Sequence, residues 1–448
     1  MDVSRWFRRE TWQLSLVEWL IVVSTFTAVG LITTTAWTSG GASLLFLSGL
    51  VAAKTLNGAD LKLGRLSINT CFASLALLFS LATLLWTADL YWGVRAFAIL
   101  LALLTGYLLV KLLVTSLDRP VLTHLTRAAL VAFTIFLIYS FTEETTNHAI
   151  KRILFWPFQA VTWGAAGPSI DWEHVSRVRA FRTNWNMTTI SLLIWPILWI
   201  ARHQLDNVPR RLFTVLVIGM TTAAVLQSHH ETTMIAFVVG MCVFCLTMVL
   251  PVRLVAVSIA LAWIAIFVAV VPVSQMMFDR SQHLNEELPG SLRHRIVLWK
   301  YTADRIEESP LIGVGVGSTR PLDAARGFDL PYVETTNYQL RTGHHPHNIY
   351  LQILYEYGIV GCLFVLMWVG SILMGIARLP QNIAKFYLAT IAVATVTSIA
   401  SFGLYEIWYI SAITFTAAML AAAKNFDSKI TSDVSSEIIS GRHVSDPA

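Results

Sequence analysis

The chain has 448 residues, 55% of them hydrophobic and only 13% charged, with a formal net charge of +5 and a mean hydropathy of +0.62. Soluble domains carry about 25% charged residues, so lipid must be the solvent for much of this chain. A disulfide scaffold, a nucleic-acid binder and an ordinary soluble enzyme are thereby excluded, and 24 Gly and 14 Pro are too few for a fibrous or low-complexity protein.

A spanning helix needs roughly 20 apolar residues. In chain order, such stretches fall at 14–36, 41–56, 67–87, 93–114, 122–141, 186–201, 212–228, 232–250, 254–273, 347–375, 386–402 and 407–423. The fold expected is therefore all-α, an integral membrane protein of about 12 spans. The second, sixth and seventh are short and must tilt or extend into their flanks. Residues 1–273 hold nine spans, 274–346 a large loop and 347–423 three more spans, while the polar, Ser-rich 424–448 reads as a disordered tail. The first apolar run is too long for a cleavable signal peptide. No internal repeat is visible, which weighs against a secondary transporter. Cys71, Cys242, Cys245 and Cys362 all lie in apolar runs, and the C-x-x-C at 242–245 has no partner pair, so they read as packing residues.

Arg5, Arg8 and Arg9 argue for a cytoplasmic start. Twelve spans then return the chain to the cytoplasm. On that reading 18 of the 32 Lys and Arg fall inside and 14 outside, and every outer one except Arg95 lies in two long loops, about 142–185 and 274–346. Long loops are exempt from the positive-inside rule, and loops of this length are usually functional. The first carries Trp156, Trp163, Trp172 and Trp185 among cations, which suits either an interfacial segment or a plain aromatic belt.

The second loop has an architecture of its own. Pro289-Gly290-Ser291 precedes a helical stretch over 292–308, which Ser309-Pro310 ends. Arg295, Trp299 and Thr302 share one face of it. A cationic, aromatic face outside the membrane suits an anionic or sugar-bearing ligand, although arginines snorkelling from a surface helix would give the same pattern. The run P-L-I-G-V-G-V-G-S (310–318) lacks the G-x-G-x-x-G spacing and reads as a tight turn that brings backbone close to backbone or ligand. Gly343-His-His-Pro-His-Asn follows and opens the tenth span, with Pro346 expected in the first helical turn. The positive end of a helix disfavours imidazolium, so His347 should be neutral and able to accept a proton. His345 precedes the proline and is expected to cap. No carboxylate or cysteine nearby completes a metal shell for the three histidines, so no metal is expected.

The segments R-x-x-x-W (Arg295 to Trp299), P-L-I-G-V-G-V-G and H-P-H-N-I-Y-L-Q-I-L-Y-E-Y-G-I-V-G (His345 to Gly361), in this order and spacing, resemble the bacterial O-antigen ligase and O-antigen polymerase superfamily. A weaker likeness covers 179–201, where Arg179, Arg182, Asn184 and Asn186 precede the sixth span. One departure is Ser228-His229-His230-Glu231, where relatives often carry Ser-Arg.

The resemblance implies a GT-C-like membrane glycosyltransferase of the bacterial inner membrane. Its two long loops would be periplasmic and both termini cytoplasmic. The expected donor is a glycan on undecaprenyl pyrophosphate and the acceptor lipid A–core, with membrane lipids around and no nucleic acid, cofactor or metal involved. A polymerase with the same donor, a protein O-oligosaccharyltransferase and a flippase are the alternatives. His347 and Arg295 are the expected catalytic residues. Arg179, Arg182, Asn348, Trp299 and His345 are expected to bind pyrophosphate or sugar, with Asn184 or Asn186 beside the first two arginines.

Overall fold

A computed structural model of the chain describes residues 14–56, 67–146, 148–150, 153, 184–281, 290–325 and 345–439. Every regular element among them is a helix, so the all-α expectation holds. In chain order these are α1 (Leu16–Thr34), α2 (Ser39–Leu56), α3 (Ile68–Ala82), α4 (Leu90–Ser116), α5 (Arg119–Thr145), α6 (Asn184–Gln204) and α7 (Asn207–Gln227). There follow α8 (Glu231–Val249), α9 (Val252–Ser281), α10 (Gly290–Ile306), α11 (Thr319–Ala325), α12 (Ile349–Ile376), α13 (Gln381–Ala400) and α14 (Ile407–Ile439).

Eleven of these helices are long and apolar enough to cross a membrane. The twelfth expected span is α6, which forms as a helix but is too polar at its start, where Asn184, Asn186, Thr188 and Thr189 stand. From Asn186 to Ala201 every one of its residues is buried. A helix apolar on all faces must be enclosed by lipid or by protein, and here α1, α5 and α7 enclose it.

The chain forms two compact units, each assembled from separated stretches. The first comprises residues 1–63, 106–230 and 411–448, hence α1, α2, α5, α6, α7, the end of α4 and most of α14. Its polar interior contacts are specific. Asn186 accepts from the Ala36 N–H at 2.9 Å and donates to the Thr34 carbonyl at 2.7 Å, while Thr189 donates to the Ile32 carbonyl at 2.8 Å. Both ends of the Asn186 amide thus hold the end of α1, so this residue is a structural tie and not the wall of a site. Over 424–439 the expected tail is helical, since α14 runs to Ile439, while 440–448 lie outside the described residues. Phe426 is buried, Asn425 donates to the Val114 carbonyl at 2.9 Å, and Asp427 lies 3.2 Å from the His203 ring. Those contacts order a segment whose composition alone reads as solvated.

The second unit comprises residues 64–105 and 231–410. An apolar core of Val255, Ala256, Ile259, Val369, Leu373, Ile376, Ala384 and Leu388 joins α9, α12 and α13. The helix α10 packs on both α9 and α12, and α3 lies along α12. The expected loop helix over 292–308 is therefore real, as α10.

Within this unit α12 is broken. Gly358 adopts φ 61° and ψ −164° in the middle of the helix, which frees backbone groups on either side. The glycine-rich turn takes them up. Val314 and Gly315 donate to the carbonyls of Tyr355 and Glu356 at 3.0 and 2.9 Å, and Ile359 and Val360 donate to Pro310 and Leu311 at 2.9 and 3.1 Å. Gly313, Gly315 and Gly317 all have positive φ, and a Cβ on Gly313 would lie 2.3 Å from the Glu356 backbone. The expected close approach is thus of backbone to backbone. The Glu356 carboxylate, fully buried, locks it by accepting from the Gly317 N–H at 2.8 Å, the Thr319 hydroxyl at 2.5 Å, Gln352 at 3.2 Å and the Tyr405 hydroxyl.

Candidate functional site

Asn348 is the N-cap of α12, its Oδ1 accepting from the Leu351 N–H at 3.0 Å. Pro346 therefore precedes the cap instead of lying in the first turn. His347 sits between them with φ +55°, a left-handed conformation uncommon for a residue with a side chain. The turn projects its ring toward the segment joining α13 to α14, where Nδ1 lies 3.0 Å from the Ser401 carbonyl. A carbonyl can only accept, so Nδ1 carries the proton and Nε2 keeps its lone pair.

His345 does not cap the helix. Its Nδ1 accepts from the His347 backbone N–H at 3.1 Å, and its Nε2 lies 2.6 Å from Glu406 Oε1. The two imidazoles meet edge to face, with centroids 4.4 Å apart. Glu406 is fixed in turn by the Trp408 indole N–H at 2.9 Å. Both ring nitrogens of His345 are thus committed within the protein, and it positions His347 in place of the substrate contact expected of it. Neither Ser401 nor Glu406 stood out in the sequence. Their only signal was their place at the short junction, 403–406, between two apolar runs.

Burial holds the His347 imidazole well below the usual range, at about 4; the neighbouring His345 and Arg295 add to this, against the Ser401 hydrogen bond and Glu406. It is a neutral ring at any ordinary pH. Arg295 projects from α10 in the same unit, close enough for its charge to act on the His347 ring. Its own pKa is lowered by burial, while Glu231, the first residue of α8, favours the charged form. His294 next to it is also held low, by burial and then by Arg295. Trp299, on the same face of α10, is 6% exposed, and its indole N–H has no hydrogen-bond partner among the described residues. Thr302 is buried and spends its hydroxyl on the Leu298 carbonyl at 2.8 Å.

The structure therefore brings His347, His345, Asn348, Arg295 and Trp299 into one unit. Arg179 and Arg182 lie outside the described residues, as does the side chain of Asn184. Where relatives carry Ser-Arg, His229 adopts φ +50° in the turn before α8. Among the described residues no three His, Cys, Asp or Glu side chains converge to hold a metal.

Residues 212–366 match the family model described as O-antigen ligase, a stretch that contains Arg295, Trp299, the glycine turn, His347 and the break in α12. Over this stretch the chain is similar to the O-antigen ligase family. A protein of Rickettsia conorii named "Putative polysaccharide ligase" is 25% identical over 215 residues, 48% of this chain and 52% of that protein. A protein of Rickettsia felis with the same name is 28% identical over 128 residues, 27% of this chain and 30% of that one. The chain thus spans about half the length, or less, of these curated relatives. The superfamily match includes His347 and Arg295 but stops short of Ser401 and Glu406, which are fixed to the site by geometry alone.

Proposed function

We propose that this chain is a glycosyltransferase of the ligase type in polysaccharide assembly, moving a glycan from undecaprenyl pyrophosphate onto lipid A–core at the periplasmic face of the bacterial inner membrane. The observation that carries this reading is a buried, neutral His347 with Nδ1 tied to Ser401 and Nε2 without a hydrogen bond among the described residues, within the electrostatic reach of Arg295. The ligase family match and the polysaccharide-ligase relatives support the reaction class. The distribution of Lys and Arg along the chain supports the orientation.

The chemistry suits these groups. The acceptor hydroxyl attacks the anomeric carbon, its proton passing to His347 Nε2, while the bond from that carbon to the pyrophosphate oxygen breaks and the electron pair leaves with undecaprenyl pyrophosphate. Pyrophosphate is already a good leaving group, so the protein has to orient both substrates and stabilise the departing charge. The Arg295 fork can bond two phosphate oxygens together. The unpartnered indole N–H of Trp299 is a donor that a sugar or phosphate oxygen would satisfy. Direct displacement inverts the anomeric centre. Arg179 and Arg182 belong to this proposal as a second phosphate contact from the first loop.

A deletion strain examined for lipopolysaccharide and lipid-linked glycan tests the reading. Polymerised glycan retained on the lipid carrier, with bare lipid A–core, is the expected result. Single repeats attached to core would instead mean a polymerase, and an unchanged profile would sink both.

A further inference from the structure

Arg95 is the one outer cation that the charge reading leaves in a short turn, where positive charge is normally avoided. It lies in the second turn of α4, exposed, with its guanidinium 5.1 Å from the centre of the Trp92 ring. Arg320, in the first turn of α11, places a second guanidinium 3.9 Å from the same ring. These two arginines come from elements more than two hundred residues apart, and the glycine turn fastens them together. Thr87 donates to the Val316 carbonyl at 2.7 Å, the Ala88 N–H donates to Ser318 Oγ at 2.9 Å, and the Val316 N–H donates to Thr83 Oγ1 at 3.1 Å. Gly317 lies so close to the Trp92 carbonyl that a Cβ there would be 2.6 Å from it.

Two like charges over one indole repel each other, and the face of the ring offsets this only in part. Among the described residues neither arginine has an ion-pair partner. Asp89 lies near in sequence but accepts the Trp92 N–H at 3.1 Å. An anion between the two guanidinium groups would offset their repulsion, and their forks suit an oxyanion such as a phosphate. Tyr91, Ala98 and Ala102 lie exposed on the same face of α4 as Arg95. An acyl chain has an apolar track there, leading away from the charged end.

We propose that Arg95, Trp92 and Arg320 form a binding site for the phosphate of an anionic glycerophospholipid, whose acyl chain runs along α4. The proposal stands whether or not the transfer reading does, because its test measures lipid and not turnover. The full-length protein is purified, reconstituted in nanodiscs of phosphatidylcholine with or without phosphatidylglycerol, and the lipid retained after detergent release is measured by native mass spectrometry. The wild type should retain phosphatidylglycerol in preference to phosphatidylcholine. The Arg95→Gln/Arg320→Gln protein should lose that preference by about tenfold or more, since charge-assisted contacts are the strong ones. Equal retention by the double variant would overturn the site. Arg320→Lys keeps the charge and disturbs folding least. It should weaken retention, and unchanged retention would overturn the role of the fork. Inorganic phosphate should fail to displace the lipid, because it lacks the acyl track. Full displacement by phosphate at low concentration would make the ligand a free anion and sink the lipid assignment.

Discussion

Because burial keeps the His347 ring neutral, the pH behaviour of the proposed base can be given a sign. Its folded-state pKa, about 4, lies below the usual imidazole value of 6.5, so the proton-accepting form prevails down to that pH. The acid limb of kcat/KM should therefore fall near pH 4 instead of near 6.5. Arg295 depresses this pKa, so Arg295→Gln should move the limb upward. Stability follows the same proton. Between about 4 and 6.5 the unfolded chain binds it and the folded one does not, so His347 makes the protein less stable as pH drops through that window. His347→Ala should lower turnover by about 10²–10⁴-fold while the folded protein is retained. Wild-type turnover by the purified variant would remove the base role. Arg295→Lys should not restore a lost Arg295, because an ammonium lacks the bidentate fork; full activity with Lys would show that charge alone suffices. Glu406→Gln breaks the pair with His345 that orients the His347 backbone. It should reduce kcat on the order of a hundredfold, as a misplaced catalytic group does, with KM nearly unchanged. A pure rise in KM would assign Glu406 to binding. Much of this site was legible: His347, Arg295 and Trp299 stand in a spaced, polar pattern beside apolar runs. Ser401 and Glu406 were not, because they act through a backbone carbonyl and a second imidazole, contacts that only folding creates.

At the scale of elements, the break in α12 and the turn at 310–318 are two halves of one feature. The three glycines marked the turn in the sequence, and close backbone approach was the reason to expect them. That the partner would be a broken helix was hidden, since Gly358 sits in a long, largely apolar run that reads as an intact span. Gly313→Ala tests the feature. The residue has φ +70° and a Cβ would meet the Glu356 backbone at 2.3 Å. The left-handed conformation alone costs an L-residue roughly 1–2 kcal/mol, and the clash with backbone adds to it. A lowered midpoint in thermal unfolding of the purified protein is expected. An alanine there without effect would mean that the turn does not hold α12.

Across the whole molecule, hydropathy predicted where helices would be and failed where a helix met protein in place of lipid. α6 is buried against α1, α5 and α7, and hydropathy under-read α14, whose course beyond the apolar run is held by Asn425, Phe426 and Asp427. The two units are likewise invisible to a reading along the chain, because each gathers stretches far apart in sequence. The crossing of backbone between α12 and the turn has a further consequence, for the order of synthesis. The ribosome makes residues 310–318 before it makes α12, so the acceptors for the Ile359 and Val360 amides already exist when that helix emerges. Until the two meet, these amides face hydrocarbon without partners, a cost of several kcal/mol for each group. A nascent chain halted after Ile376 but lacking 310–318 should therefore either close α12 into an uninterrupted helix or be retained at the insertion machinery. Amide exchange at Ile359 and Val360 would tell a healed helix from a stranded one.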